Sequence, residues 1–394
     1  MARKLVVCCD GTGNEIQGNQ SNVLKFYRLL EKRPHKTNQI AYYDPGVGTI
    51  SESGGWSRWR SEAKGVFGLV TGAGLDRNVL EAYKFLVRHY ERGDRIYLFG
   101  FSRGAYTIRI LAGVVALIGI LERNQEHLCE YALNYYKRVG RSGDPRVAYG
   151  FNEVIPTHRA RIKFMGCWDT VGSVIVPRFD RPLMPLSFET PPLVRRNSAV
   201  EVFRHALAID EHRSMFRVAE WEEGQKFKPR PFLADSHSSV VDQDVKQVWF
   251  SGVHSDVGGG YSEAESTAAK IPLRWMVDEA REHGLEFRET LYRMLVLGRN
   301  RKGTSRPYSK PDVNGKLHHS LRGAWRWLEW VPKFDKYKEW PERRSVLGMY
   351  LPRGEPRHIP DGAVVHLSAT RRKFREPGGE PYRPVNWPKW YVSS

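Results

Sequence analysis

Short apolar runs alternate with amphipathic stretches through the first two thirds of the chain. Apolar runs that end in turn-forming residues predict strands at Leu5–Cys9, Gln39–Tyr43, Arg95–Phe99, Arg161–Trp168 and Val245–Val253. Apolar residues three and four positions apart predict helices at Leu75–Tyr90 and Ala105–Leu121. Strands that are apolar on both faces and alternate with helices are typical of a parallel sheet covered on both sides. The pattern predicts an α/β fold, a doubly wound and mainly parallel sheet with helical and loop insertions.

Two segments interrupt this alternation and one follows it. Residues 46–74 are rich in Gly and Ser and predict a long, mobile connection, whereas residues 180–244 predict an insertion of helices and loops. Which of the two could act as a lid stays open at this point. We expect a catalytic domain over residues 1–300, with an insertion at about 180–244, and a C-terminal extension over residues 301–394 that packs on the core.

The composition is that of a globular protein. Of 394 residues, 41% are hydrophobic and 27% are charged, which excludes a disordered, collagen-like or membrane-embedded chain. The longest apolar stretch, Ile110–Leu121, falls short of the roughly 20 residues that a membrane span needs. The first apolar run, Leu5–Cys9, is too short for the core of a signal peptide, and the four cysteines show no disulfide or zinc spacing. We therefore expect a cytoplasmic protein with reduced thiols, and signal-independent export stays open.

Basic charge is concentrated near the C-terminus. The chain carries a formal net charge of +18, and residues 301–394 hold 20 Lys and Arg against 9 Asp and Glu, together with six of the twelve Trp. This combination is compatible with an anionic membrane surface, with a nucleic acid, or with a solvated basic face above buried Trp side chains. Nucleic acid is the least favoured of the three.

The sharpest chemical signal is Gly100-Phe101-Ser102-Arg103-Gly104, which fits the pattern G-x-S-x-G. An apolar strand precedes it and a long helix follows it, as a nucleophile elbow requires. In such a turn the serine hydroxyl faces a cleft, and the free N–H groups of the helix N-terminus face a developing oxyanion. The alternative is an ordinary turn between a strand and a helix.

A nucleophilic serine needs a base that an acid orients. Asp169 and His254 each follow an apolar run, in the chain order Ser, Asp, His that this fold class uses. Asp210, Asp180 and Asp256 are rivals for the acid, and His205 and His212 are rivals for the base. We expect the stretch that contains His205 to Arg213 to be the end of a helix or a loop.

The loop after the first strand has three interpretations. Gly11 and Thr12 could donate N–H groups to an oxyanion together with Arg103, while Asp10 and Phe101 line the substrate site. A phosphatase motif D-x-D-G-T would need Asp at position 8, where this chain has Cys. The loop could also be a plain tight turn. No phosphate-binding nucleotide motif is present, and we expect no cofactor and no metal.

Taken in order, five blocks of the sequence resemble one bacterial and fungal α/β-hydrolase family, known best for the phospholipase effectors of type VI secretion systems. The blocks are Val6–Asn14, Gly100–Ala105, Cys167–Gly172, His205–Glu211 and Gly252–Tyr261. The resemblance implies a Ser102–Asp169–His254 triad and hydrolysis of acyl esters, with phospholipids as the substrate class of the effectors. Effector members commonly carry a large membrane-anchoring region, for which this chain has no obvious room.

The residues and the resemblance together predict a serine hydrolase that cleaves carboxylic esters, in particular of lipids or phospholipids, through an acyl-enzyme. The basic C-terminal region is the candidate contact with an anionic membrane. Two alternatives stay open: a binding module for membrane or nucleic acid on the same fold, and a metal-assisted hydrolase that uses Asp10 and Asp256.

Overall fold

A computed structural model describes most of the chain. The described residues are 2–11, 18–46, 72–144, 146–171, 174–177, 186–189, 193–228, 240–300, 303, 307–375 and 378–394. The expected connection over 46–74 lies largely outside these ranges, as do Thr12 and Asp180.

The described strands fall into one large sheet and four two-stranded pairs. In chain order they are β1 Lys4–Cys9, β2 Gln39–Asp44, β3 Arg95–Phe101, β4 Ile120–Leu121, β5 Thr157–His158, β6 Ile162–Trp168, β7 Val174–Pro177, β8 Leu186–Glu189, β9 Val200–Ala208, β10 Lys226–Phe227, β11 Val241–Asp242, β12 Asp244–Phe250, β13 Lys333–Phe334, β14 Met349–Tyr350, β15 Val364–Val365 and β16 Val392–Ser393.

The α-helices within the described ranges are α1 Asn22–Leu29, α2 Gly72–His89, α3 Arg103–Leu117, α4 Cys129–Ser142, α5 Arg146–Val154, α6 His254–Gly258, α7 Lys270–Glu282, α8 Glu289–Leu295, α9 Ala324–Leu328 and α10 Leu367–Thr370. Short 3₁₀ helices lie at Arg123–Leu128, Glu263–Glu265 and Asp335–Tyr337. Among the described residues, no helix combines the length and the apolar composition of a bilayer span.

The central sheet confirms the predicted fold class. Its eight strands run in the order β16-β15-β12-β9-β6-β3-β1-β2, and every pairing is parallel. Helices cover both faces, so that the fold is doubly wound. In β1, Cys9 packs in the apolar cluster that includes α2 and α3, whereas Cys8 packs on the other face with α1 and α7. Alternate residues of one strand therefore belong to two separate cores.

The expectation of helices and loops over residues 180–244 is wrong in its centre. Val200–Ala208 forms β9, a central strand between β6 and β12, and His205 lies inside it. The polar residues Arg204 and His205 conceal the apolar pattern of this strand. Both are nevertheless buried, because Arg204 pairs with Asp244 at 2.8 Å and His205 Nε2 accepts a hydrogen bond from the Thr170 N–H at 3.1 Å.

The helix after the elbow also differs in its bounds from the prediction. It begins at Arg103, and it ends at Leu117 rather than at Leu121. Gly119 adopts a φ of 96°, which breaks the helical conformation, and Ile120–Leu121 continues as the short strand β4.

Residues near the C-terminus complete the edge of the sheet. The strands β15 and β16 extend it beyond β12, and Ile359, Val365 and Ala369 join one buried cluster with Leu207 and Trp249 of the central strands. Apolar burial therefore ties this part of the chain to the sheet. The division of the chain at residue 300 stays a prediction.

Candidate active site

Polar side chains follow neighbouring strands of the central sheet at the edge where the strands end. Asp10 follows β1, Ser102 follows β3, Asp169 follows β6, Asp210 comes two residues after β9 and His254 comes four residues after β12. In a parallel sheet these carboxyl ends share one edge. Backbone hydrogen bonds hold them side by side, since the Ser102 N–H donates to Trp168 O at 3.0 Å and the Asp169 N–H donates to Ala206 O at 2.8 Å.

Ser102 occupies a strained turn between β3 and α3. Its φ of 56° and ψ of −120° lie in a backbone region that residues other than glycine rarely adopt. A Cβ at Gly100 would come within 2.5 Å of the Ala105 backbone nitrogen, and one at Gly104 within 2.0 Å of Cys9 O. The two glycines therefore allow β3, α3 and β1 to approach closely enough for the turn. This is the geometry of a nucleophile elbow.

The hydroxyl of Ser102 is not used to cap the helix that follows it. The first N–H groups of α3 therefore have no acceptor in the Ser102 side chain, and a helix N-terminus favours negative charge. Although both residues are described, no hydrogen bond joins the Ser102 hydroxyl to the His254 imidazole. In enzymes without substrate this bond is often long and closes on binding.

Phe101 supports the histidine from the elbow side. Its ring centroid lies 4.6 Å from that of His254, and a Cβ at Gly258 would come within 1.9 Å of the Phe101 ring. Phe101 is buried. The described contacts thus give Phe101 a packing role beneath the imidazole, and its predicted contact with substrate stays a prediction.

Asp169 and His254 are in direct contact. Asp169 Oδ2 is hydrogen-bonded to His254 Nδ1, and Asp169 Oδ1 accepts from the Ala208 N–H at 3.0 Å. Asp169 itself has a φ of 41° and is fully buried. A hydrogen bond at Nδ1 fixes the ring orientation and leaves Nε2 as the nitrogen that can take a proton.

Arg357 binds the same carboxylate from the other side. Its Nη1 donates to Asp169 Oδ1 at 2.6 Å, and its Nη2 donates to Asp169 Oδ2 at 2.9 Å. The guanidinium is buried and also donates to Ala208 O at 3.0 Å and to Phe216 O. The Asp169 carboxylate is therefore held by a bidentate, charge-assisted pair in addition to the imidazole.

The protonation states follow from this environment. Burial raises the pKa of Asp169, but the Arg357 charge and the hydrogen bond to His254 outweigh it and hold that pKa below the usual range. Burial lowers the pKa of His254, and the adjacent Asp169 only partly opposes this effect. At neutral pH the pair is thus a carboxylate and a neutral imidazole, which are the states a general base requires.

A second buried acid fixes the loop that carries His254. Glu211 accepts from the His254 N–H at 3.2 Å, from the Arg213 N–H at 2.8 Å and from the Ser320 hydroxyl at 2.7 Å. Burial raises its pKa, but Arg213 overcomes this and lowers the pKa to about 2. The edge of Phe216 lies against the imidazole at a centroid distance of 4.9 Å.

The rival residues among the described ranges have other partners. Asp210 accepts from the Gly252 N–H at 2.6 Å and from the Tyr382 hydroxyl at 2.9 Å. Asp256 Oδ1 binds His318 Nδ1 at 2.6 Å. His212 Nδ1 contacts Gly354 O at 2.9 Å, and burial lowers the pKa of His205 inside β9. The hydrogen bonds of these described residues go to partners other than Ser102.

The loop after β1 is held by Asp10. Its carboxylate accepts from the Gly11 N–H at 2.7 Å, from the Tyr43 hydroxyl at 2.8 Å and from the Ser21 hydroxyl. The Gly11 N–H can therefore reach an oxyanion only if it leaves Asp10. Thr12 lies outside the described residues, so the oxyanion roles of Gly11, Thr12 and Arg103 stay predictions. In the part of the chain that is described, no three His, Cys, Asp or Glu side chains converge as metal ligands.

Sequence reasoning missed Arg357 and Glu211 as parts of the site. Arg357 is 188 residues from Asp169, and no catalytic motif of the sequence includes it. The signal that could have found Glu211 is its place at the end of the block His205–Glu211, next to the candidate acid Asp210.

Comparisons with known proteins give one family match, one curated relative and some solved structures. The family model described as "T6SS, Phospholipase effector Tle1-like, catalytic domain" matches residues 3–279. An uncharacterized protein of Saccharomyces cerevisiae is 32% identical over 245 residues, which make up 59% of this chain and 33% of that protein. The chain thus spans a third of the length of this curated relative.

Two solved structures are more distant. An uncharacterized protein from Pseudomonas aeruginosa matches with 19% identity and a TM-score of 0.40, over 73% of this chain and 46% of its own. The Tle1 effector bound to the VgrG spike of the type 6 secretion system matches with 18% identity and a TM-score of 0.36, over 68% of this chain and 53% of its own.

Proposed function

This chain belongs to the family of Tle1-like phospholipase effector catalytic domains, and we propose that it hydrolyses acyl esters of lipids with Ser102 as the nucleophile. The observation that carries the proposal is the strained elbow at Ser102, one strand away from the buried Asp169–His254 pair. The family supports a lipid ester as the substrate class.

In the proposed reaction the Ser102 oxygen attacks the acyl carbonyl while His254 Nε2 takes the hydroxyl proton. The carbonyl electron pair moves onto oxygen, which the Arg103 N–H at the start of α3 stabilises together with the loop after β1. The intermediate collapses, the alcohol leaves with the proton from His254, and an acyl-Ser102 ester remains. Water then attacks this ester with His254 as base, which releases the fatty acid. Asp169 stabilises the imidazolium throughout.

The experiment is a panel of esters and phospholipids tested on the wild type and on Ser102→Ala. We expect the variant to lose on the order of 10⁴-fold to 10⁶-fold in kcat, with an unchanged fold. Ser142→Ala is the matched control, because Ser142 is exposed at the end of α4 and hydrogen-bonds only locally. Ser102→Ala with most of its activity retained would contradict the proposal, and loss of activity to a chelator would favour the metal-assisted alternative.

We further propose that the substrate is met at an anionic phospholipid surface, through residues 322–353. Five apolar side chains of this segment, the apolar set, are exposed to solvent: Trp327, Trp330, Val331, Val346 and Leu347. Exposed basic residues accompany them at Arg322, Arg326, Lys336, Arg344 and Arg353. Trp side chains suit the lipid–water interface, and clustered cations favour anionic headgroups.

Leu347 is the most unusual member of the apolar set. It is 92% exposed, and its φ of 52° is strained for a bulky side chain. Val346 and Met349 exchange backbone hydrogen bonds around Leu347 and Gly348, so that Leu347 occupies the tip of a tight turn where Asn or Asp is usual. A strained, exposed Leu does not stabilise the fold, so its position favours a role in binding.

The same segment reaches the catalytic histidine. Trp325 lies edge-on to Phe216 at 5.2 Å, and Phe216 lies edge-on to His254 at 4.9 Å. A surface that binds lipid through α9 would thus hold the site close to the headgroups.

Vesicle binding tests this surface, with Ser102→Ala as the background so that the lipid stays intact. We expect co-sedimentation with vesicles that contain phosphatidylglycerol, weaker binding to phosphatidylcholine alone, and a decline as salt rises. Replacing Trp327 and Trp330 by Ala should lower the bound fraction several-fold, whereas Tyr131→Ala, at an equally exposed aromatic on α4, should not. Equal binding by the Trp variant would contradict this surface, and a protein partner would then be the better candidate for it.

A further inference from the structure

The C-terminal part of the chain binds the acidic side chains that surround the catalytic edge of the sheet. Each pair joins one acid of the catalytic loops to one residue beyond position 317: Arg357 to Asp169, Tyr382 and Arg375 to Asp210, Ser320 to Glu211, and His318 to Asp256. The family match ends at residue 279. The contacts to these acids therefore come from outside the matched region.

Arg357 stands out in this set because it binds the acid that orients His254. We propose that Arg357 is a positioning residue that holds the Asp169 carboxylate in place and offsets its charge, so that His254 stays unprotonated into mildly acidic pH. This inference rests on the proposed function, since it concerns the same catalytic pair.

The geometry leaves the guanidinium little freedom. Its two terminal nitrogens bind both carboxylate oxygens of Asp169, and they also bind the carbonyls of Ala208 and Phe216. The Arg357 carbonyl accepts from Asn386 Nδ2 at 3.0 Å, and Asn386 also donates to Ile209 O at 3.0 Å. Arg357 is thereby fixed to the end of β9 and, through Asn386, to the segment that precedes β16.

The charges around His254 balance in pairs. On one side Asp169 is paired with Arg357, and on the other Glu211 is paired with Arg213 at 2.8 Å. The imidazole also contacts the rings of Phe101 and Phe216, and neither carries charge. The group next in its own helix, Asp256, is bound to His318. Without Arg357, the Asp169 charge would act on the imidazole without compensation.

An uncompensated carboxylate favours the protonated imidazole. Removal of Arg357 should therefore raise the pKa of His254. As the pH is lowered, activity should then be lost at a higher pH than in the wild type, so that the acid limb of the pH profile moves upward. A residue that only supports the fold would lower activity or stability without moving this limb of the pH profile. The pH profile therefore separates the two roles.

The test compares three variants by kcat/KM against pH on a soluble short-chain ester. Arg357→Met should move the acid limb upward by about one pH unit. Arg357→Lys keeps the charge and loses the bidentate geometry, so it should lower kcat and leave the limb in place. Arg204→Met is the matched control, because Arg204 is equally buried and bidentate to Asp244, at the start of β12. It should lower the melting temperature without moving the limb.

A second measurement does not depend on catalysis. The His254 imidazole is titrated by NMR in Ser102→Ala, with and without Arg357→Met, and we expect the midpoint to rise by the same amount. If Arg357→Met does not fold, Arg357→Gln, which can still donate to Asp169, carries the same expectation. An unchanged or lowered midpoint in a folded variant overturns the inference. Failure of the proposed function would instead appear as full activity in Ser102→Ala, independently of the midpoint of the His254 titration.

Discussion

Glycine at position 104 decides whether Ser102 can hold its strained backbone. A Cβ there would lie 2.0 Å from Cys9 O. This oxygen belongs to the backbone of a central strand, so it can shift only if the strand is displaced. Gly104→Ala should therefore lower the free energy of unfolding by about 1–3 kcal/mol and reduce kcat by displacing the elbow.

The matched control is Gly150→Ala in α5, where a Cβ meets nothing within 4 Å. There the substitution should be neutral or should stabilise the helix by up to about 1 kcal/mol. Chemical denaturation and ester hydrolysis measure both effects. Equal stability and equal activity of the two variants would mean that neither the fold nor the elbow depends on the close approach of α3 and β1.

If His254 is the base, as proposed, its protonation sets the pH dependence of the wild type. Burial lowers its pKa, and catalysis needs the neutral ring, so activity should persist below the ordinary histidine value of about 6.5 and fall only at lower pH. The measurement is the acid limb of kcat/KM with a soluble ester. A limb at or above pH 7 would contradict a buried, neutral base at this position.

The three residues that the sequence predicts as the triad share one property. Ser102, Asp169 and His254 each follow an apolar strand, so local pattern and chain order locate them. Arg357 and Ser320 reach the site only through the tertiary fold, and no catalytic motif of the sequence includes either of them. Contacts over such sequence separations leave no periodic signal.

Among the elements, α1, α7 and the 3₁₀ turn at Glu263–Glu265 depend on one shared acid. The buried Lys25 and Lys270 both pair with Glu263, with Lys25 Nζ at 3.2 Å. Burial lowers the pKa of Lys270 to about 8 although Glu263 opposes it. Two buried ammonium groups thus rely on one carboxylate to remain charged in the interior.

Glu263→Gln should lower the free energy of unfolding by about 2–3 kcal/mol, somewhat below the cost of breaking a fully buried pair, because the Glu263 side chain is 26% exposed. Glu289→Gln is the control, since Glu289 pairs with Arg281 and Arg293 at the surface and should matter by less than about 1 kcal/mol. Denaturant titration compares the two. A similar, small loss of unfolding free energy in both variants would show that Lys25 and Lys270 do not depend on Glu263.

Element prediction succeeded where a strand ends in an apolar run and failed at β9, where two adjacent buried polar residues lie within the strand. The strands β1, β3, β6 and β12 were predicted within a few residues of their observed bounds. Strand β9 was missed because its Arg204 and His205 are accommodated by partners that come from β12, α7 and the Asp169 loop. Whether a polar residue is satisfied in the interior depends on those partners and cannot be judged from its own segment.

At the scale of the whole molecule, the C-terminal part supplies both an edge of the sheet and the Arg357 side chain that binds Asp169. Val365 and Ile359 pack against Leu207 and Trp249, and β15 pairs with β12. A chain shortened to residues 1–300 should therefore lose this apolar cover along with Arg357.

We expect the shortened chain to lack a cooperative thermal transition, to bind hydrophobic dyes, and to hydrolyse no ester, in contrast to the full chain. Calorimetry and dye fluorescence provide the readouts. A cooperative transition near that of the full chain would indicate that residues 301–394 form a separate unit.

Covalent labelling tests the central claim most directly, because only an activated serine reacts with a fluorophosphonate. The full chain is incubated with the probe, and intact mass and peptide mapping locate the adduct. The account predicts one adduct, on Ser102, that disappears in Ser102→Ala and is strongly reduced in His254→Ala. No adduct on the folded wild type, or an adduct that persists in Ser102→Ala, would contradict it.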